Sequence, residues 1–196
     1  MDWHQIIGIG AGVIQIISII PYVKDIFKGT TRPNIVSYFL WTVIQVIAIF
    51  AQFSAGASWS LFILIASTFN TSLIFILCLA GYGYKEYGLT DKICFVLAII
   101  TIIVWQITKQ PLIVLALAIF ADFLASVPTI LKAYRDPKSE MVLSWFMTVV
   151  SATIAGFSTT KIDFANLIYP VYAFLTNGTI TWLAFFGQRR EARLKD

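Results

Sequence analysis

Charge is scarce in this chain, and what the sequence goes without narrows its function before any motif is read. Only 12% of the 196 residues are charged, while 59% are hydrophobic. Soluble domains run nearer a quarter charged and half apolar. A globule of this size cannot bury such an excess, so the chain reads as an integral membrane protein, with a mean hydropathy of +0.83. Histidine occurs once, at His4, which leaves no histidine pair for zinc or haem. The two cysteines, Cys78 and Cys94, fall in or at apolar segments and form neither a disulfide framework nor a metal spacing. There is no Cys/His set, no nucleophile elbow and no phosphate loop, so neither an enzyme nor a cofactor is expected. The first apolar segment lacks a basic leader, so no cleavable signal peptide is expected. The net charge of +4 comes from Lys and Arg in short loops and the tail. Cytoplasmic membrane loops need that distribution, so the expected partner is the lipid bilayer and not nucleic acid.

What is present is seven apolar segments, near 5–23, 34–53, 59–82, 92–108, 111–133, 141–158 and 164–186. Each is close to the ~17–25 residues that a membrane helix needs. None shows the alternating polarity of a barrel strand. A retinal protein would also have seven spans, but its Schiff base needs a lysine inside the last one, and 164–186 has none. Twelve basic residues fall on one side of these segments: Lys24, Lys28 and Arg32, then Lys85 and Lys92, then Lys132, Arg135 and Lys138, then four in the C-terminal tail. The other side has only Lys109 and Lys161. The positive-inside rule then places the C-terminus in the cytoplasm and the N-terminus outside, in the plasma (inner) membrane.

The chain repeats itself. Pro21 and Pro128 are 107 residues apart, and so are Asn70 and Asn177. The same offset pairs Ser37 with Ser144, Phe39 with Phe146 and Ala66 with Ala173. Matches of apolar residues are cheap in membrane helices, but proline and asparagine are disfavoured in helix interiors. The fourth segment has no counterpart, and its extra crossing lets the second copy start on the same side as the first. The expected fold is therefore all-α: two parallel three-helix repeats, 1–89 and 110–187, joined by a linker helix at 90–109 and followed by a basic tail at 188–196.

Polar residues at membrane depth are costly unless they face a cavity or a partner. Asn70 lies eleven residues into its segment and Asn177 thirteen, which puts both roughly 16–20 Å deep at ~1.5 Å per residue. An amide offers donors and an acceptor, so the pair suits a small polar solute. The alternative is an interhelical hydrogen bond that holds the bundle together. Asp122 is the only acid deep in a segment, and its repeat mate is Gln15. An ionised Asp there costs about 2.5–3.5 kcal/mol on insertion scales. The pair is therefore read either as a proton or polar site, or as a neutral packing contact. Gln45 also lies near mid-depth, but its mate is Ala152. Pro21 and Pro128 bend their helices, as gating hinges or as static kinks. Trp41 and Tyr169 could line a pocket, while the other aromatics form a lipid-facing belt. Gly8, Gly10 and Gly12 read as a small-residue stripe for close helix packing.

These residues resemble a known family. Three helices, a linker and three more, with P-x6-K-G from Pro21 to Gly29 and Asn70 and Asn177 in the third and seventh segments, look like the SWEET sugar transporters and the wider PQ-loop group. The stretch from Pro128 to Arg135 resembles the same turn in the second copy. The resemblance implies that Asn70 and Asn177 match the family's paired substrate-binding asparagines, and that Pro21 and Pro128 match two of its four hinge prolines. Tyr22 and Thr129 stand where the motif has glutamine, and the second and sixth segments lack an interior proline. The expected function is facilitated, alternating-access transport of a small polar solute, a sugar in the first instance. The alternatives are a proton-coupled amino-acid or metabolite transporter, and a non-transporting receptor of the same fold.

Overall fold

The computed structural model describes residues 2–31, 33, 35–83, 88–108 and 110–193, apart from the side chains of 90, 91, 94, 98, 101, 102, 105, 106 and 128. Arg32, Lys85, Lys109 and Lys195 of the basic tally, and the side chain of Cys94, lie outside the described residues. Every described element is helical. The helices are α1 (Trp3–Ile17), α2 (Ile19–Phe27), α3 (Ile35–Ser54), α4 (Leu61–Leu77), α5 (Leu89–Thr108), α6 (Pro111–Arg135), α7 (Val142–Phe157) and α8 (Phe164–Arg193). A π-helical turn, Cys78–Tyr82, extends α4 and ends through Gly81 at φ 101°. A short 3₁₀ turn, Pro137–Ser139, joins α6 to α7.

Each apolar segment becomes a helix, with two departures. The first segment is not one helix: it breaks at Ser18, between α1 and α2. Pro21 has no N–H to give the carbonyl four residues back, at Ile17, so the break falls in the turn just before the proline. The second departure concerns length and polarity. Among the described residues, four helices are long and apolar enough to cross a membrane: Trp3–Phe27, Ile35–Ser54, Leu61–Tyr82 and Pro111–Arg135. Helix α7 is apolar but shorter, and α8 carries Asn166, Thr176, Asn177, Thr179 and Thr181 among its apolar residues.

Helix α4 packs against α1 and α3, and α8 packs against α6 and α7. The two sets meet where α1 crosses α7 and α3 crosses α6, and α5 lies mainly along α6. Helix α1 lies close against the start of α4: a Cβ on Gly8 would sit 2.7 Å from the Cβ and the carbonyl oxygen of Trp59, just before α4. A Cβ on Gly12 would lie 3.3 Å from the Phe62 carbonyl, while one on Gly10 would meet nothing. The small-residue contact is therefore Gly8 and Gly12, one turn apart, without Gly10. At the facing positions of the second set, Leu115 and Ile119 stand where Gly8 and Gly12 do, and both are buried.

The polarity is that of a membrane protein. Phe50, Phe53, Ile76, Phe157, Leu175 and Trp182 face outward, while Gln15, Gln45, Gln52, Asn70, Asp122 and Asn166 are buried. Many large apolar side chains face outward along the helices, and polar ones are gathered within.

Candidate functional site

Four of these buried polar residues, Gln15, Gln45, Asn70 and Asp122, line a cavity of about 100 Å³, small against the ~300–1,000 Å³ of drug-sized sites. Among the described residues every helix except α5 contributes to its wall. Gln15, Asn70, Asp122 and Asn177 all line it, as do Trp41 and Tyr169. Pro21 does not. It shapes the site at one remove, through the break at Ser18, whose side chain is in the wall. Position 128 lies within α6, which runs on without interruption. The side chain of Pro128 is outside the described residues, and so is its reading as a hinge.

The break in the first helix is bonded from both sets of helices. Asn70 Nδ2 donates to the Gln15 carbonyl at 2.5 Å, and the Ser18 hydroxyl donates to the same carbonyl at 2.6 Å. Ser144 Oγ reaches across from α7 to the Ser18 carbonyl at 2.5 Å. One turn earlier, Ser151 Oγ donates to the Ala11 carbonyl at 2.7 Å. Asn70 is thus both an interhelical tie and a wall residue. Its nitrogen must face the carbonyl it donates to, which leaves Oδ1 buried with no partner. Gln15 Oε1 is in the same condition. Asn177 is half-buried, and its side chain makes no hydrogen bond among the described residues.

Asp122 also lines the cavity and is 5% exposed. Tyr172 donates its hydroxyl to Oδ2 at 2.5 Å, and Gln45 Nε2 lies 3.4 Å from Oδ1. Thr71 donates to Gln45 Oε1 at 3.3 Å, and Trp41 Nε1 lies 3.4 Å from the Asp122 carbonyl. Among the described residues no basic side chain pairs with Asp122. Gln45 owes its place to these contacts and not to the repeat. Its partner lies 77 residues away, which no local pattern reveals.

Polar clusters close the bundle at both ends. At one end Asn166, 1% exposed, accepts at Oδ1 from the Ser58 amide (2.9 Å), the Ser58 hydroxyl (3.2 Å) and the Ser60 hydroxyl (3.1 Å). Its Nδ2 donates to Asp163, which also caps the start of α8. Those bonds from Asn166 hold the Asp163 carboxyl below its ordinary range. Gln52 Nε2 adds a bond to the Ala165 carbonyl at 2.7 Å. At the other end Glu140 is buried, pairs with Lys132 at 3.2 Å and accepts from Trp145 Nε1 at 2.8 Å. Burial pushes the Glu140 carboxyl up, against the pull of Lys132 and Trp145. Trp145 also lines the cavity, so it links the site to this cluster.

Sequence reasoning singles out neither Ser18, Ser144, Tyr172 nor Asn166. Ser144 carried a signal, since it matches Ser37 at the 107-residue offset. Tyr172 resembled any other membrane aromatic. No family model, curated protein or solved structure matches the chain.

Proposed function

We propose that this protein is a membrane transporter of a small polar solute, built as two parallel three-helix repeats joined by a linker helix and working by facilitated alternating access. One observation carries the reading: the polar cavity lies where the two sets of helices meet, with wall residues from both. Buried polar groups at such a junction fit a solute path and are a poor way to gain stability alone. The 107-residue offset supports the repeat plan, because it turns α1, α3 and α4 into α6, α7 and α8. The packing follows the same rule: α4 holds α1 and α3 as α8 holds α6 and α7, and the α1–α7 crossing mirrors the α3–α6 crossing. Polar clusters around Asn166 at one end and Glu140 at the other fit a site opened alternately to either side.

The resemblance to SWEET and PQ-loop proteins makes a sugar the first solute to try. The test is uptake of radiolabelled sugars, amines and amino acids into proteoliposomes. Selective, saturable flux supports transport. Binding without flux supports the receptor reading instead.

A second reading, coupling to protons, draws on a specific observation: Asp122 is buried with no basic partner. Under it, Asp122→Asn abolishes the dependence of flux on a pH gradient while sparing exchange, since asparagine keeps size and hydrogen bonding but cannot titrate. Wild-type flux that ignores the gradient removes coupling. The orientation, cytoplasmic C-terminus and external N-terminus, rests on the twelve-to-two basic asymmetry. A single cysteine at Arg135 is then labelled by an impermeant reagent from the cytoplasmic side only.

A further inference from the structure

The cavity has an imbalance of hydrogen-bonding capacity. Its donors are largely engaged within the protein. Tyr172 and Gln45 donate to the Asp122 carboxyl, and Asn70 donates to the Gln15 carbonyl. Ser144 donates to the Ser18 carbonyl, Ser126 to Phe123 and Thr148 to Trp145. Among the fully buried atoms of the wall two remain without a partner, and both are acceptors; the half-buried Asn177 amide, unbonded among the described residues, offers a donor and an acceptor alike. Gln15 Oε1 and Asn70 Oδ1 are buried acceptors with no donor, on side chains 6% and 7% exposed. Native structures rarely leave such atoms unsatisfied, and each such atom calls for an explanation. A donor that comes and goes with a ligand is one.

Charge points the same way. Among the described residues Asp122 is the one acid in the wall, and no Lys, Arg or His lines the cavity. A carboxylate, phosphate or zwitterion would find no counter-charge for its anionic end. A cation finds Asp122 and also the faces of aromatic rings, since Tyr22, Tyr38, Trp41, Trp145, Tyr169 and Tyr172 all stand in the wall. Tyr38 and Trp41 meet edge to face at 5.1 Å, so neighbouring rings present differently angled surfaces. Rings so placed attract cations.

We infer that the solute is a small organic cation bearing N–H donors, a primary ammonium without an anionic group, with its N–H bonds directed to Gln15 Oε1 and Asn70 Oδ1 and its charge held by Asp122. This rests on the transporter reading and specifies its substrate class. It differs from the sugar that the resemblance implies, because a neutral polyol would leave Asp122 without a counter-ion. It also differs from an amino acid, whose carboxylate has no partner here. The cavity of about 100 Å³ limits the cation to a few heavy atoms in this state.

The experiment uses the full chain, purified and reconstituted. Ethylammonium is titrated by calorimetry against its neutral counterpart ethanol, against tetramethylammonium, which keeps the charge without any N–H, and against sodium and glycerol, all at fixed ionic strength. Ethylammonium is expected to bind about tenfold or more tightly than ethanol or tetramethylammonium, as charge-assisted hydrogen bonds require, and to exchange across proteoliposomes. Asp122→Asn is expected to lose that preference. Gln15→Met supplies an independent arm should Asp122→Asn fold poorly. It deletes an unpartnered buried oxygen, so melting is expected to hold or rise while ethylammonium affinity falls about tenfold. Equal binding of tetramethylammonium would show that the two oxygens are not the recognising atoms and overturn the inference. Displacement by equimolar sodium, without ethylammonium flux, would assign the site to a metal cation and overturn it too. Preferred binding and flux of glycerol or a sugar would sink the cation and leave transport standing. Absence of flux for every solute tested would remove the transport reading itself.

Discussion

The two sets of helices share a plan in sequence and differ in build. In the first, the proline helix is broken at Ser18, and Asn70 bonds the carbonyl of Gln15 just before the break. In the second, α6 passes position 128 without a break, and the side chain of Asn177 is left without a hydrogen bond among the described residues. The first set is drawn together at Gly8 and Gly12, where the second has Leu115 and Ile119. The difference teaches that a repeated residue need not have a repeated task. One copy of the asparagine is part of the frame and the wall at once, while the other is free to do nothing but face the cavity.

The largest expected effect comes from forcing the first set to resemble the second. Gly8→Leu places atoms where Trp59 Cβ and its backbone oxygen already stand at 2.7 Å. Overpacking of this kind costs about 1–3 kcal/mol or more, and thermal melts in detergent should show it. Gly10→Ala, with open space around it, should leave the melt unchanged or raise it by up to ~1 kcal/mol from helix propensity. Equal losses at both positions would show that the close approach at Gly8 is not what holds α1 to α4.

Next comes the asparagine pair itself. Asn70→Leu removes one of the two side-chain donors to the Gln15 carbonyl, leaving that of Ser18, and should cost about 0.5–1.5 kcal/mol, lowering the melting temperature along with solute binding. Asn177→Leu breaks no bond in the frame, so its melt should match wild type while flux falls. Identical losses of stability from both variants would erase the contrast between the copies. Ser144→Ala then removes one cross-set bond, to the Ser18 carbonyl, and should cost about 0.5–1.5 kcal/mol in the same melts.

These contrasts also mark what could be read in advance. The seven apolar segments, the 107-residue offset and the polar residues Gln15, Gln45, Asn70, Asp122 and Asn177 are visible as letters, because apolar runs and misplaced amides are local signals. The break at Ser18 follows from Pro21, but its position does not, since that depends on which carbonyls find new donors. Asn70, Ser18 and Ser144 supply those donors, the last from 126 residues away. Tyr172 was hidden for a related reason: its hydroxyl matters only once α6 and α8 bring it to Asp122. A hydroxyl or ring in an apolar helix has no sequence mark that separates a wall residue from a lipid-facing one.

The smallest effect concerns the ends of the bundle and distinguishes them by pH. Burial raises Glu140 above its ordinary 4.5, so the folded protein holds that proton more tightly than the unfolded chain. Its contribution is therefore fully present below about pH 4.5 and lost as pH rises through the raised folded value. Asp163 works in reverse, because its lowered carboxyl contributes above 3.8 and loses that contribution only as pH falls below it. Melts of wild type and Glu140→Gln between pH 4 and 7 should therefore diverge, with wild type losing ground to the variant as pH rises. Parallel curves would mean that Lys132 fully offsets the burial of Glu140.

The glycine contact between α1 and α4 also bears on how such a molecule can move. With Gly8 and Gly12 pressed against Trp59 and Phe62, there is no slack for one helix to slide or roll on the other. In the proposed alternating access the pair would then travel as one lever. Any displacement that opens the cavity has to be taken up where the two sets cross, at the α1–α7 and α3–α6 contacts. There the hydrogen bonds from Ser144 and Ser151 to the first helix, and from Trp41 and Gln45 to Asp122, would have to break and re-form. In the transport cycle proposed above, the fulcrum would be set by the smallest side chains in the bundle.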